Sequence, residues 1–398
     1  MLIQSPILKK LYPTIEKIAE KIKQAVNDKQ PILIRHHNDA DGYCGAMALE
    51  YAIDPLLYER HSRERDTQYF YTRIQSKTPY YDYSDSIRDI SMFMKAHERF
   101  GHKMPLIIII DTGSSEQDLD SIKQIKLYGA EIIVIDHHPL CAEIEKEVNI
   151  LLNPYMIKST YDYCAGMLCV EIAELLCSDQ KINILIAALS GIADKVRSEE
   201  LKLYKKLLPK EYTDDYLIFL SECINYQAYY LPNESSIMLY DLILPSKERH
   251  NPLVALIGKK IKKAKRYALS TASKYAKKED KGKFILAKLD LDNTNGTLEF
   301  PSTSKKISLL HDKLLSSEKK PVLTIGIRNG GITFRCSTKL SFDVNELLSL
   351  LREKLPYAQV TGGGHRVAGT IMYVPAAKDE VMSILEEYLG KIKIVDKK

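Results

Sequence analysis

The sequence predicts an α/β protein: a doubly wound, mostly parallel sheet in the N-terminal part, then a smaller α+β domain, the two joined by a helical linker. Three observations predict it. Apolar runs at residues 31–35, 105–110 and 131–135 alternate with stretches of helical spacing, and runs without polar alternation are strands buried on both faces. The second and third runs start about 25 residues apart, the interval of one βαβ unit with its right-handed crossover. After about residue 241 the texture changes to a basic helical stretch followed by turn-rich, strand-like segments.

In chain order, residues 42–52 read as a helix after the first strand, and residues 115–128 as a helix with Leu119, Ile122 and Ile125 on one face. Residues 159–177 and 182–189 read as buried helices. Residues 251–278 read as a basic helix; from 259 to 283 there are eleven Lys or Arg against two acids. Residues 284–289 and 297–300, around the Asn-Thr-Asn-Gly turn at 293–296, read as one hairpin. Residues 321–328 and 332–337, around Asn-Gly-Gly, read as a second. A helix at 344–354 and a strand near 370–374 complete a division into residues 1–245, a linker at 246–280, and residues 281–398.

Composition excludes several classes. A net charge of +5 on 398 residues is too small to announce a nucleic-acid binder by itself. No apolar stretch approaches the roughly 20 residues of a membrane span, and the N-terminus lacks a signal peptide's apolar core. Seven cysteines without a C-x-x-C pair argue against a disulfide scaffold or a zinc ribbon. The expectation is a cytoplasmic protein with reduced thiols and no membrane partner.

The distinctive feature is where the acids fall. Asp39 and Asp41 follow the first run, Asp111 ends the second, Asp136-His137-His138 ends the third, and Asp194 follows another buried run. A single Asp at such a place is commonly a helix N-cap, but here four distant segments repeat the pattern. In an open parallel sheet the carboxyl ends of the strands share one edge, where ligands bind. Carboxylates gathered there repel one another, and divalent cations relieve that. Oxygen donors with one or two imidazoles suit manganese or magnesium. In the C-terminal part, Gly362-Gly363-Gly364-His365 reads as a backbone nest for phosphate, with Arg335 and Arg328 on the two arms of the second hairpin as forks onto it. Gly364-x-x-x-x-Gly369-Thr370 lacks the lysine of a P-loop.

Asp39-Ala40-Asp41-Gly42, Asp111, Asp136-His137-His138 and Asp194 resemble, in order and spacing, the four motifs of the DHH phosphoesterase family. Gly362–His365 with Ala368-Gly369, and Arg335-Cys336-Ser337 with Asp343-Val344-Asn345, resemble that family's associated domain. The resemblance implies two divalent cations, manganese preferred and magnesium possible, held by Asp39, Asp41, Asp111, His137 and Asp194. It implies that His138 faces the scissile phosphate, Asp136 orients the histidines, and Arg335, Ser337 and the glycines with His365 bind substrate. Many members carry a ligand His four residues before the first Asp, where this chain has Arg35; His37, which shares strand parity with Asp39, is favoured over His36.

The H-N-D-A-D-G form at 37–42 looks closest to the archaeal RecJ-like branch, which implies an exonuclease on single-stranded DNA or RNA acting in replication or repair. The alternatives are an oligoribonuclease or cyclic-dinucleotide phosphodiesterase, and a replication scaffold that binds GINS. Two features favour a long strand: the basic linker, and the tyrosines at 69–83 interleaved with Arg73 and Lys77. Those tyrosines could stack bases, but residues 69–74 read first as an ordinary strand with outward tyrosines.

Overall fold

The computed structural model describes residues 1–60, 69–76, 78–159, 162–177, 180–231, 238–244, 248–294 and 300–395. The chain forms two compact units, residues 1–258 and 259–398. The helix His250–Tyr275 runs across the division. Among the described residues no helix is long and apolar enough to cross a membrane.

The first unit is built on five parallel strands: β1 (Ile32–His36), β2 (Tyr71–Gln75), β3 (Leu106–Ile110), β4 (Glu131–Ile135) and β5 (Ile150–Leu152). Their spatial order is β2-β1-β3-β4-β5. Every residue of β3 is buried, as its unbroken isoleucines require. Ile107 and Ile109 pack with Ile90, Phe93 and Ile122 on one side. Ile110, of the opposite parity, lies against Gly45 of the helix Ala40–Arg60, so helices cover both faces. The order reverses between β1 and β3, and a crevice opens at such a switch point outside the carboxyl ends of the strands.

Helix boundaries moved in two places. The run at 159–177 yields a helix only from Ala165 to Leu176, and residues 160–161 lie outside the described residues. Asp194 follows the helix Gln180–Ala193, so the fourth acidic segment reaches the site from a helix end rather than a strand end.

The second unit holds six strands: β6 (Lys277–Asp280), β7 (Ile285–Asp290), β8 (Val322–Arg328), β9 (Gly331–Cys336), β10 (Thr361–His365) and β11 (Ala368–Met372), ordered β10-β11-β9-β8-β7-β6. Helices Val344–Lys354 and Lys378–Gly390 cover one face through Leu347, Leu351, Val381 and Leu385. The helix Thr303–Ser317 covers part of the other through Ile307, Leu310 and Leu314. The expected β8–β9 hairpin is present. The other expected hairpin is not formed among the described residues. Strand β7 pairs antiparallel with β6 and parallel with β8, so both of its edges are taken. Residues 295–299 of that expectation lie outside the described residues. The basic helix ends at Tyr275, and Lys277–Asp280 belongs to the sheet.

Candidate metal centre at the sheet switch point

Each side chain reaches the crevice through a local backbone device. After β1, the His37 N–H still bonds Ile110 O (3.1 Å), which carries the chain one residue past the strand. Asp39 then starts the helix Ala40–Arg60 by accepting the Gly42 N–H at Oδ1 (3.0 Å). Gly42 is required there, because a Cβ would overlap the His37 carbonyl. Asp111 leaves β3 in the left-handed region at φ 60°, with its N–H on Ile135 O (2.9 Å). Asp and Asn tolerate that conformation better than other L residues. Asp136 leaves β4 with its N–H on Leu152 O (3.0 Å).

The side chains converge on Asp111. Its Oδ2 lies 3.2 Å from His37 Nδ1, which is also 3.2 Å from Asp39 Oδ2. Its Oδ1 lies 3.3 Å from His137 Nε2 and 3.9 Å from His138 Nδ1. His137 Nε2 lies 3.6 Å from Asp194 Oδ2 and 3.9 Å from Asp41 Oδ2. Two groups with metal-ligand spacing result, His37-Asp39-Asp111 and Asp111-His137-His138, and Asp111 belongs to both. The set consists of carboxylates and imidazoles without thiolate, which fits a hard divalent ion such as manganese or magnesium.

His36 goes elsewhere. It is buried edge-on against Tyr43, and burial, then Arg73, pushes its pKa well below the ordinary value. Burial also disfavours the charged form of His37, yet Asp39 and Asp111 outweigh it and hold that pKa well above the ordinary value. Arg35 faces the other side of the sheet, where its guanidinium is paired with Asp89 and Asp85.

The electrostatics of the centre are those of crowded acids. Burial, reinforced by Asp111, raises Asp41 to about 6. Burial, reinforced by Asp41, raises Asp194 to about 8. Asp136 behaves differently. Burial opposes its charge, but His138 outweighs that and holds its pKa far below the ordinary range. In return Asp136 lifts His138 to about 9 against the effect of burial. Asp136 Oδ1 accepts from the His137 N–H (2.7 Å), the His138 N–H (3.2 Å) and His138 Nδ1 (2.8 Å), and Oδ2 accepts the Ser114 N–H (3.1 Å). The His138 side chain is 44% exposed, so its other ring nitrogen is the one a ligand can meet.

These shifts fix a sign for stability. The folded-state values of Asp41, Asp194 and His138 all lie above their ordinary ones, so their contribution is present at low pH and lost as pH rises through about 6, 8 and 9. The metal-free protein is expected to show a Tm that falls steadily across that window. A flat or rising Tm, measured by scanning calorimetry in chelator, would contradict the crowding.

Some groups that hold the centre were not anticipated. Asp41 Oδ1 accepts the Gly166 N–H (2.9 Å) and Oδ2 the Ala165 N–H (3.0 Å), at the N-terminus of the helix Ala165–Leu176. The Ser190 hydroxyl also donates to Asp41 Oδ1. The helix dipole and donors thus hold a buried carboxylate in place. Ser190 lies in the last turn of the helix that Asp194 follows, four residues before it, and its carbonyl accepts the Asp194 N–H (3.0 Å); that spacing was the available signal. Asn153, which donates to Ser114 Oγ and to His138 O (both 3.0 Å), had none.

The C-terminal residues are arranged differently from expectation. Gly362, Gly363, Gly364 and His365 form β10, an edge strand paired with β11, and not a loop. Arg335 is in register with Thr324, whereas Arg328 is in register with Gly331, so the two arginines sit four residues apart, about 13 Å along the pair. Arg335 donates to Ser304 Oγ (2.6 Å) and Ser308 Oγ (2.9 Å), and Arg328 to Met372 Sδ (2.8 Å). Ser337 is buried, and its hydroxyl accepts the Val322 N–H (2.8 Å). Two tyrosines of the segment at 69–83 are held within the fold: Tyr81 is buried with its hydroxyl on Asp89, and Tyr71 donates to Glu50. Lys77 lies outside the described residues.

The fold and the site together define an α/β protein with carboxylates and imidazoles clustered at the switch point of a doubly wound sheet. Residues 31–193 match the DHH family, N-terminal domain. Over that segment the chain is similar to the DHH family. An uncharacterized protein of Methanocaldococcus jannaschii is 31% identical over 425 residues, covering 98% of this chain and 56% of its own length. The chain thus spans about half the length of that curated relative. Among solved structures, the DHH domain of a member of a ribosomal-protein family matches at TM-score 0.91 and 29% identity, over 99% of this chain and 94% of that one. The exonuclease RecJ bound to manganese matches at TM-score 0.62 and 13% identity, over 98% and 96%; at that identity the likeness is one of fold.

Proposed function

We propose that the chain is a metal-dependent phosphodiesterase of the RecJ type, an exonuclease that releases mononucleotides from single-stranded DNA or RNA. The observation that carries this reading is the pair of donor groups that share Asp111, one of which includes the exposed imidazole of His138. His37, Asp39 and Asp111 would hold one divalent cation, and Asp111, His137, Asp41 and Asp194 a second, manganese or magnesium. Such ions supply Lewis-acid polarisation of phosphoryl oxygens and an activated water.

The remaining work falls to the chain's own groups. With Nδ1 held by Asp136 and a pKa near 9, His138 is protonated at neutral pH. Its Nε2–H is then the donor that stabilises charge on the phosphate or protonates the leaving oxygen. Asp136 fixes the ring's direction and tautomer, and is itself fixed by three backbone N–H groups. The Ala165 and Gly166 N–H groups and Ser190 keep Asp41 from turning away from its neighbours.

The test is digestion of a single-stranded 20-mer, as DNA and as RNA, labelled at either end, with manganese supplied or chelated. Manganese-dependent release of mononucleotides is expected, and the label that persists gives the direction. Turnover of dinucleotides alone would replace this reading with a dinucleotide phosphodiesterase. No turnover of either would leave a scaffold.

A further inference from the structure

We propose that the outward face of the basic helix, from Lys259 to Tyr275 in the second unit, is a docking surface for the sugar-phosphate backbone of a single strand. The inference rests on the phosphodiesterase reading and narrows its substrate to a polynucleotide longer than a dinucleotide. Between residues 250 and 276 the chain has seven lysines and arginines and no acid. Like charges three and four residues apart weaken a helix, so the pattern works against the element that carries it.

Burial divides the helix cleanly. Val254, Ile257, Ile261, Ala268 and Ala272 form the inner stripe. On the outer side Lys260, Lys263, Tyr267 and Lys274 are exposed at spacings of three, four and seven, which aligns them in one row. Elsewhere in the same unit several exposed lysines are matched, Lys278 with Glu318, Lys320 with Asp280, Lys354 and Lys391 with Glu387. Among the described residues Lys259, Lys260, Lys262, Lys263 and Arg266 form no ion pair. The cations are therefore available to an external anion.

The shape of the charge selects the anion. Lys260 to Lys274 spans about 21 Å at 1.5 Å per residue. A dinucleotide, with one or two phosphates, cannot follow that row; a strand with regularly spaced phosphates can. Tyr267, 65% exposed within the row, selects further. A ring amid cations offers a stacking platform to bases that are unpaired, as in a single strand, and not to bases closed inside a duplex.

The experiment measures binding and hydrolysis separately on the full chain. Anisotropy of a labelled single-stranded DNA 20-mer, with metal chelated, is followed through a KCl series for the wild type and for the variant K260Q/K263Q/K274Q. Binding about tenfold weaker at low salt is expected, with a salt slope smaller by about 2, since each lost phosphate contact removes about 0.7. Tyr267→Ala is expected to weaken binding about tenfold with the slope unchanged. Manganese-dependent dinucleotide turnover should stay at the wild-type rate in both variants. Wild-type affinity and slope in the triple variant would overturn the proposal, as would an equal loss of dinucleotide turnover. If the wild type hydrolyses neither substrate but binds the 20-mer through these lysines, the phosphodiesterase reading falls and the docking surface stands.

Discussion

Replacing Asp111 by asparagine is expected to lower manganese-dependent turnover by about a thousandfold or more while leaving the fold intact. Asp111 is the residue on which both donor groups depend, with one oxygen 3.2 Å from His37 and the other 3.3 Å from His137. Taking away one of its charged oxygens weakens both groups at once, whereas loss of Asp39 or Asp194 touches one. Lewis-acid assistance contributes several kcal/mol to such reactions, and about 1.36 kcal/mol corresponds to each factor of ten in rate. The substitution is mild for the backbone, because asparagine also tolerates the left-handed conformation that Asp111 adopts at φ 60°. Alanine would add strain and confuse the two effects. Turnover of the 20-mer, manganese affinity by calorimetry and the far-ultraviolet spectrum together decide the matter. Turnover within tenfold of wild type would remove Asp111 from the centre of the site.

The parts of this architecture that were legible in the sequence are those where one local rule suffices. Five consecutive buried residues in β3 show no polar alternation because helices cover both faces. An acid directly after such a run must emerge at the carboxyl edge of the sheet, so Asp111 and Asp136 could be assigned to one crevice without any contact being known. The parts that were not legible depend on partners far along the chain. Asp41 is held by N–H groups 124 and 125 residues away and by a hydroxyl 149 residues away, and no spacing rule connects those positions.

Turn chemistry misled in one place. Asn-Thr-Asn-Gly after β7 suggested a hairpin, but the helix Thr303–Ser317 follows and returns the chain to β8 parallel to β7. A crossover helix overrides a local turn signal because it buries Ile307, Leu310 and Leu314 against the sheet. The triple glycine lies in a strand and not in the expected loop. Gly362, at φ 116°, serves close strand approach, since a Cβ there would overlap the Thr370 carbonyl oxygen. A run of glycines marks a demand on the backbone, and that demand can come from strand pairing as readily as from a phosphate.

Asp136→Asn carries the second large effect, and it acts on a proton rather than on metal affinity. The Asp136 carboxylate faces four donors: three N–H groups and His138 Nδ1. An asparagine keeps one acceptor oxygen but no charge, and its amide must face a donor at one of the two sides. His138 then loses the partner that lifts its pKa to about 9 and falls back towards the ordinary 6.5. At pH 8 the wild-type imidazole is mostly protonated and the variant's mostly neutral. Turnover at that pH is therefore expected to fall by about a hundredfold, within the usual range for loss of a positioned acid. Stability should drop by roughly 1–3 kcal/mol through the buried donors left unmatched. The diagnostic is the pH profile of kcat. Its alkaline limb should move from near 9 to near 7 or below, and activity should recover in part at pH 6, where the variant's imidazole is charged again. A merely structural role would lower activity at every pH and leave the limb in place, and that outcome would separate His138 from the proton transfer.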